Sequence, residues 1–294
     1  MILRTLLRGA VEPLVQRASR AYVAGPELAD AMRACRSFAS QSYSATVCFW
    51  DGAEDSPLET TARYLATIDR VAEEEFDCYV SVKAPPLEFS TSLFGRIFDR
   101  ARERGVGIHF DSLWPESADP TFSLIRELLP RHSAVGCTLP GRWRRSLQDA
   151  DQAVELGLGV RVVKGQWADP DAPAIDLHAG FLAVIARLAG RSKRVRVATH
   201  DPVLARAALT RLRDAATPCE LELLFGLPAR RALAVAAALN VPVRFYVPYG
   251  HAWLPYALRQ ATKNPRIAWW VFRDMWSGAL QGPASPAEWD AAPR

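Results

Sequence analysis

The chain has 294 residues, 49% of them hydrophobic and 23% charged, with a formal net charge of +4. That length exceeds a common domain of about 100–200 residues but is ordinary for a single α/β barrel of about 250. The arginines are spread over helical stretches, and the densest run, Arg96, Arg100, Arg102 and Arg104, is interleaved with Asp99 and Glu103. A nucleic-acid partner is therefore not expected.

Five cysteines, Cys35, Cys48, Cys78, Cys137 and Cys219, include no two within metal-ligand spacing, and three of them fall in apolar strand-like runs. Buried free thiols are expected rather than disulfides or a metal site, which suits a reducing compartment and a cytoplasmic protein. No apolar run reaches the roughly 18 residues that span a bilayer. The arginine-rich amphipathic start is interrupted by Pro13. It reads as a helix packed on the domain and is compatible with peripheral membrane contact.

In chain order, residues 1–40 read as helices that precede the main domain. Eight short apolar and β-branched runs follow: Ala45–Phe49, Cys78–Lys83, Val106–Phe110, Ala134–Thr138, Val160–Lys164, Val195–Thr199, Glu220–Phe225 and Val241–Val247. Helical periodicity fills the gaps. Leu93–Arg104 opens after Ser90, Thr91 and Ser92 and stops at Gly105; Leu147–Leu156 closes at Gly157; Pro202–Arg213 follows the sixth run. Strands alternating with helices imply parallel pairing through crossovers. No G-x-G-x-x-G turn follows any strand, which argues against a doubly wound sheet. The expected fold is a distorted (β/α)8 TIM-type barrel over residues 41–282, with a loosely ordered tail at 283–294.

In such barrels the site lies at the C-terminal ends of the strands. Lys83 ends the second strand and Asp111 follows the third. Arg161 lies on the fifth strand, which runs out into Lys164–Gly165. Thr199–His200 ends the sixth, and Tyr246 lies on the eighth. Charges there are costly to bury singly, so their convergence on one mouth points to a site. After the eighth strand, Trp253, Tyr256, Arg259, Gln260 and Lys263 share one helix face at 3-and-4 spacing. Arg259 and Lys263 are like charges one turn apart, and an anionic ligand between them would relieve the repulsion. From residues alone this is a barrel enzyme with a cationic pocket, and a Schiff-base lyase using Lys83 or Lys164 stays open.

The segments R-V-V-K-G at 161–165, A-T-H-D at 198–201, E-L-E-L-L-F-G at 220–226, R-F-Y-V-P-Y-G at 244–250 and W-L-P-Y-A-L-R at 253–259 occur in this order. Together with Y-V-A-G at 22–25 and V-S-V-K at 80–83, they resemble the monofunctional bacterial proline dehydrogenase family. The resemblance implies non-covalent FAD and oxidation of proline or a related secondary amino acid by hydride transfer to the flavin N5. It puts Arg161 near N5, with Asp111 joining it as a catalytic residue. Lys164, Gly165, Gln166, Thr199 and His200 would hold the cofactor. Lys83, Tyr246, Tyr256, Arg259, Gln260 and Lys263 would hold a small carboxylate-bearing amine, and a quinone or another acceptor would take the electrons.

Five departures from the family pattern stand out, one of them Leu113 in the loop after the third strand, where an acid is usual. Gln260 replaces the second of two adjacent arginines and Lys263 replaces an acid. Glu222 stands where glutamine is usual. Pro140, in the rebuilt segment T-L-P-G-R-W-R-R-S, stands at a flavin-contacting glutamine. A non-catalytic ligand-binding descendant is the alternative these losses suggest. If the clamp has been retuned, Gln260→Arg with Lys263→Glu raises kcat/KM on proline. It lowers kcat/KM on the native substrate by more than about threefold, roughly 0.65 kcal/mol. Steady-state kinetics on both compounds decides this.

Overall fold

The computed structural model describes residues 22–52, 54–172 and 174–250. Among these residues the first helix, α1 (Leu28–Ala39), precedes eight parallel strands. These are β1 (Ser44–Trp50), β2 (Cys78–Val82), β3 (Ile108–Phe110), β4 (Val135–Pro140), β5 (Gly159–Val163), β6 (Arg194–Ala198), β7 (Cys219–Leu224) and β8 (Val243–Gly250). Between them run α2 (Pro57–Ala72), α3 (Thr91–Arg104), α4 (Ala118–Leu128), α5 (Ser146–Glu155), α6 (Leu177–Leu188), α7 (Pro202–Asp214) and α8 (Arg230–Ala238). The strands close in sequence order, with β8 pairing β1 from Ser44↔Arg244 to Trp50↔Gly250. The fold is a closed eight-stranded TIM-type barrel. The clamp-helix positions Tyr256, Arg259, Gln260 and Lys263, the segment before residue 22 and the tail at 283–294 lie outside the described residues.

Local signals set the boundaries. Ser56 caps α2 through the Glu59 amide, the Glu59 carboxylate returns to the Ser56 amide, and Pro57 takes the first helical position. Gly105 ends α3 at φ 69°, and the Val106 amide then bonds the Ala101 carbonyl. Val106 is thereby spent on the helix stop, and β3 begins two residues later than the run of apolar residues suggests. At the other end of the chain, β8 continues three residues past Val247 because Pro248, Tyr249 and Gly250 pair with Cys48, Phe49 and Trp50.

Each strand sends one set of residues outward to the helices and one inward. The outward set is apolar and fully buried: Val47, Val80, Val82, Val160, Val162, Val195, Val197, Leu221 and Leu223. Phe38 of α1 stacks on Phe245 with ring centroids 3.9 Å apart, seating that helix on β8. The inward set is polar, including the buried residues Thr46, Tyr79, Ser81, His109, Arg161, Glu220, Glu222 and Arg244. At the N-terminal end of the strands Arg244 binds Glu220 at 3.2 Å, together with Asp77 and the Ala45 carbonyl. Arg196 pairs with the same Glu220 oxygen at 2.7 Å. The Tyr79 ring lies 4.5 Å and 4.6 Å from the two guanidinium carbons.

Losing Arg244 takes one of two cations from the buried Glu220 and removes the bond to the Ala45 carbonyl. Arg244→Met should therefore cost about 3 kcal/mol of unfolding free energy, read from urea titration at unchanged m-value. A loss below about 1 kcal/mol would mean that the network contributes little.

Candidate active site

At the C-terminal ends of the strands the second inward storey centres on Arg161, only 4% exposed. Glu222 takes two bonds from it, Nε to Oε2 at 2.9 Å and Nη2 to Oε1 at 2.8 Å. Asp111 accepts from Nη1 at 2.5 Å and the Tyr79 hydroxyl from Nη2 at 3.0 Å. The Tyr246 ring lies 4.9 Å from the guanidinium carbon. Every guanidinium nitrogen thus has an acceptor. Burial works against the charge, but Glu222, Tyr79 and Asp111 outweigh it and hold the Arg161 pKa well above its ordinary value.

Asp111 is shared. Tyr246 donates to it at 2.6 Å and Ser81 at 2.6 Å. Burial and the Asp111 carboxylate push the Tyr246 phenol well above its usual pKa, so it stays a donor. The Trp50 indole donates to the Tyr246 hydroxyl at 3.4 Å, and the Lys83 ammonium lies 5.6 Å from the Trp50 ring centre. Lys83 itself binds the Phe49 carbonyl and Asp51, each at 3.2 Å. Burial disfavours its charge, yet Cys48, Asp51 and Asp111 raise its pKa overall. Lys83, Asp111, Arg161 and Tyr246 therefore form one connected cluster.

The other strand-end residues lie on the neighbouring rim. Lys164, a third exposed, is 3.4 Å from Asp201. Thr199 accepts the Asp201 amide at 3.2 Å, and Asp201 also caps α7. His200 donates from Nδ1 to the Pro228 carbonyl at 3.0 Å and accepts the Leu224 amide at Nε2, 2.9 Å away. That pairing makes it a neutral brace between β6 and the loop after β7, and burial lowers its pKa.

Gly165 adopts φ +91°, and a Cβ there would come 2.7 Å from the Pro140 Cβ. Close by, four successive residues of the loop after β4 stitch onto the loop after β5. Gly141 N bonds the Val163 carbonyl at 2.7 Å, and Arg142 the Gln166 carbonyl at 2.8 Å. Trp143 Nε1 bonds the Trp167 carbonyl at 2.8 Å, and Arg144 N bonds Asp169 at 2.9 Å. The segment around Pro140 is a braced wall.

Reading strand ends alone missed Tyr79, Ser81, Trp50 and Asp51 as parts of the cluster and noted Glu222 only as an oddity. The signal was strict alternation within strands, as in C-E-L-E-L-L at 219–224 and R-V-R-V-A at 194–198, where charges occupy successive inward positions. The expected free thiols are present: all five cysteines are unpaired, and burial pushes the Cys48 thiol up to about 12. Among the described residues no helix is long and apolar enough to cross a membrane.

A closed parallel barrel with its charged cluster at the strand ends places this chain among TIM-type barrel proteins with a polar lumen. No family model matches it. It is 23% identical over 288 residues to proline dehydrogenase 1 of Bacillus subtilis subsp. natto, covering 92% of this chain and 94% of that protein. It is 26% identical over 285 residues to proline dehydrogenase of Deinococcus radiodurans, covering 87% and 89%. The proline utilization A structure from Bdellovibrio bacteriovorus inactivated by N-propargylglycine superposes with a TM-score of 0.73 at 18% identity. That match covers 87% of this chain but spans only 34% of the larger protein. Over about nine tenths of its length the chain is thus similar, at 21–26% identity, to curated proline dehydrogenases.

His109, buried in the lumen, bonds Thr138 at 3.0 Å. Burial first, and then Arg161, Arg196 and Arg244, hold its pKa well below the ordinary value. An unfolded histidine takes up its proton near pH 6.5, whereas the folded one resists it. The neutral form therefore contributes stability in full above about pH 6.5, and that contribution is lost as pH falls. His109→Gln should flatten the decline of the urea midpoint between about pH 7 and 5. An unchanged slope would assign the decline to other groups.

Proposed function

We propose that this protein is an FAD-dependent dehydrogenase that oxidises proline or a related secondary amino acid. The observation that carries this is the joining of Lys83, Asp111, Arg161 and Tyr246 into one hydrogen-bonded and charged cluster at the barrel mouth. The chain that does so matches proline dehydrogenases over about nine tenths of its length. The rim fits the cofactor. Gly165 has no room for a side chain and presents backbone there. The Lys164 ammonium is partly exposed beside it and suits a phosphate. Lys164, Gly165, Gln166, Thr199 and His200 would hold FAD, with Arg161 beside the reactive ring. When bound, FAD supplies the hydride acceptor.

The chain's own residues do the rest. The Lys83 ammonium, steadied by Asp51 and the Phe49 carbonyl, holds the substrate carboxylate. Tyr246, fixed by Asp111 and Trp50, walls the pocket. The sequence expectation that Tyr256, Arg259, Gln260 and Lys263 also bind the substrate falls on residues outside those described. A lysine that forms a Schiff base must first lose its proton. Lys83 is held as the ammonium by its acidic neighbours, which favours the dehydrogenase over a lyase.

The purified protein should be yellow. Under anaerobic conditions proline or a close relative should bleach the flavin absorbance. Removing the carboxylate, as in pyrrolidine, should weaken binding by about 2–5 kcal/mol. Lys83→Met should remove most of that preference for the carboxylated compound. A flavin left oxidised by every secondary amino acid tried, or equal binding of proline and pyrrolidine, would overturn the assignment.

A further inference from the structure

The carboxylate of Glu222 changes the electrostatics of the mouth, with a consequence that rests on the FAD-dependent function proposed above. Glu222 is 2% exposed and takes two bonds from Arg161, while Asp111 takes a third. Thr46 and Tyr79 donate to the Glu222 carboxylate at 3.1 Å and 3.3 Å, pinning it in place. Among the described residues the other cations nearby are already engaged: Lys83 with Asp51, and Arg196 and Arg244 with Glu220. Two carboxylates therefore answer the single Arg161 charge, a formal −1, where a glutamine at 222 would leave a neutral pair.

Reducing a flavin adds negative charge to its ring system. A neighbouring cation favours that change and a neighbouring anion opposes it, most strongly where water is excluded. We propose that Glu222 is a positioning residue that ties Arg161 into the barrel and cancels its field toward the mouth, lowering the reduction potential of bound flavin. Residue 222 thereby sets which donors can pass electrons to this flavin, independently of the substrate clamp. A low-potential flavin demands a more strongly reducing amine.

The test uses the full-length, FAD-loaded protein and two readouts other than turnover. One is the midpoint potential by equilibration with reference dyes; the other is sulfite affinity, since the sulfite adduct also places negative charge on the ring. Glu222→Gln keeps the shape and loses the charge. It should raise the reduction equilibrium constant by about tenfold or more, about 30 mV for a two-electron couple, and tighten sulfite binding in parallel. Glu222→Met should shift both in the same direction. Thr46→Val loosens Glu222 without touching its charge and should leave the potential in place. A purely structural role would instead move thermal stability and FAD affinity in all three variants, with no common rise in potential. An unchanged potential and sulfite affinity in both Glu222 variants overturns the inference alone. A wild-type protein that takes up no FAD, seen directly in its absorbance spectrum, overturns the flavin reading and the inference with it.

Discussion

A guanidinium on the axis of a closed barrel is tolerable only when its charge and its N–H groups are answered from within the lumen. Arg161 imposes that demand here. Glu222 of β7, Asp111 after β3 and Tyr79 of β2 meet it from three directions around the ring of strands. Those partners in turn recruit Thr46, Ser81, Tyr246 and Trp50. The side chains that shape the mouth are thus the ones that make Arg161 burial possible. Pocket geometry and barrel integrity cannot be varied separately.

The other storey, around Arg244, repeats the arrangement at the N-terminal ends of the strands, and Tyr79 joins the two. Its ring lies against Arg196 and Arg244 while its hydroxyl reaches Arg161 and Glu222. Barrels of this kind usually fill their lumen with layers of branched apolar residues. Here the apolar strand residues face the helices instead, and ion pairs fill the axis. Such a lumen is demanding in geometry, because each partner lost strands another charge in a dry environment.

Much of this was legible in the chain itself. Eight apolar runs and the helix stops at Gly105 and Gly157 marked the barrel, because strand burial and helix termination are local in sequence. The strand-end rule found Lys83, Asp111, Arg161 and Tyr246. It did not find Tyr79 or the weight of Glu222, which lie inside strands as Arg161 and Tyr246 do. Their role depends on the stagger of the closed sheet, which lets residues 79, 161 and 222 meet across the lumen. His200 was legible as a strand-end residue, but the bonds of both its nitrogens to backbone were not. Which partner a strand-end histidine faces is a tertiary fact.

The stitching of residues 141–144 onto the segment 163–169 prolongs the parallel β4–β5 ladder beyond both strands by side-chain and backbone bonds in matching order. Two loops joined rung by rung cannot change length one at a time. An inserted or deleted residue in either would shift every later rung out of step and strand the Trp143 indole and the Arg144 amide. Evolution along this side of the mouth is thereby confined to side-chain exchange or to paired changes in both loops.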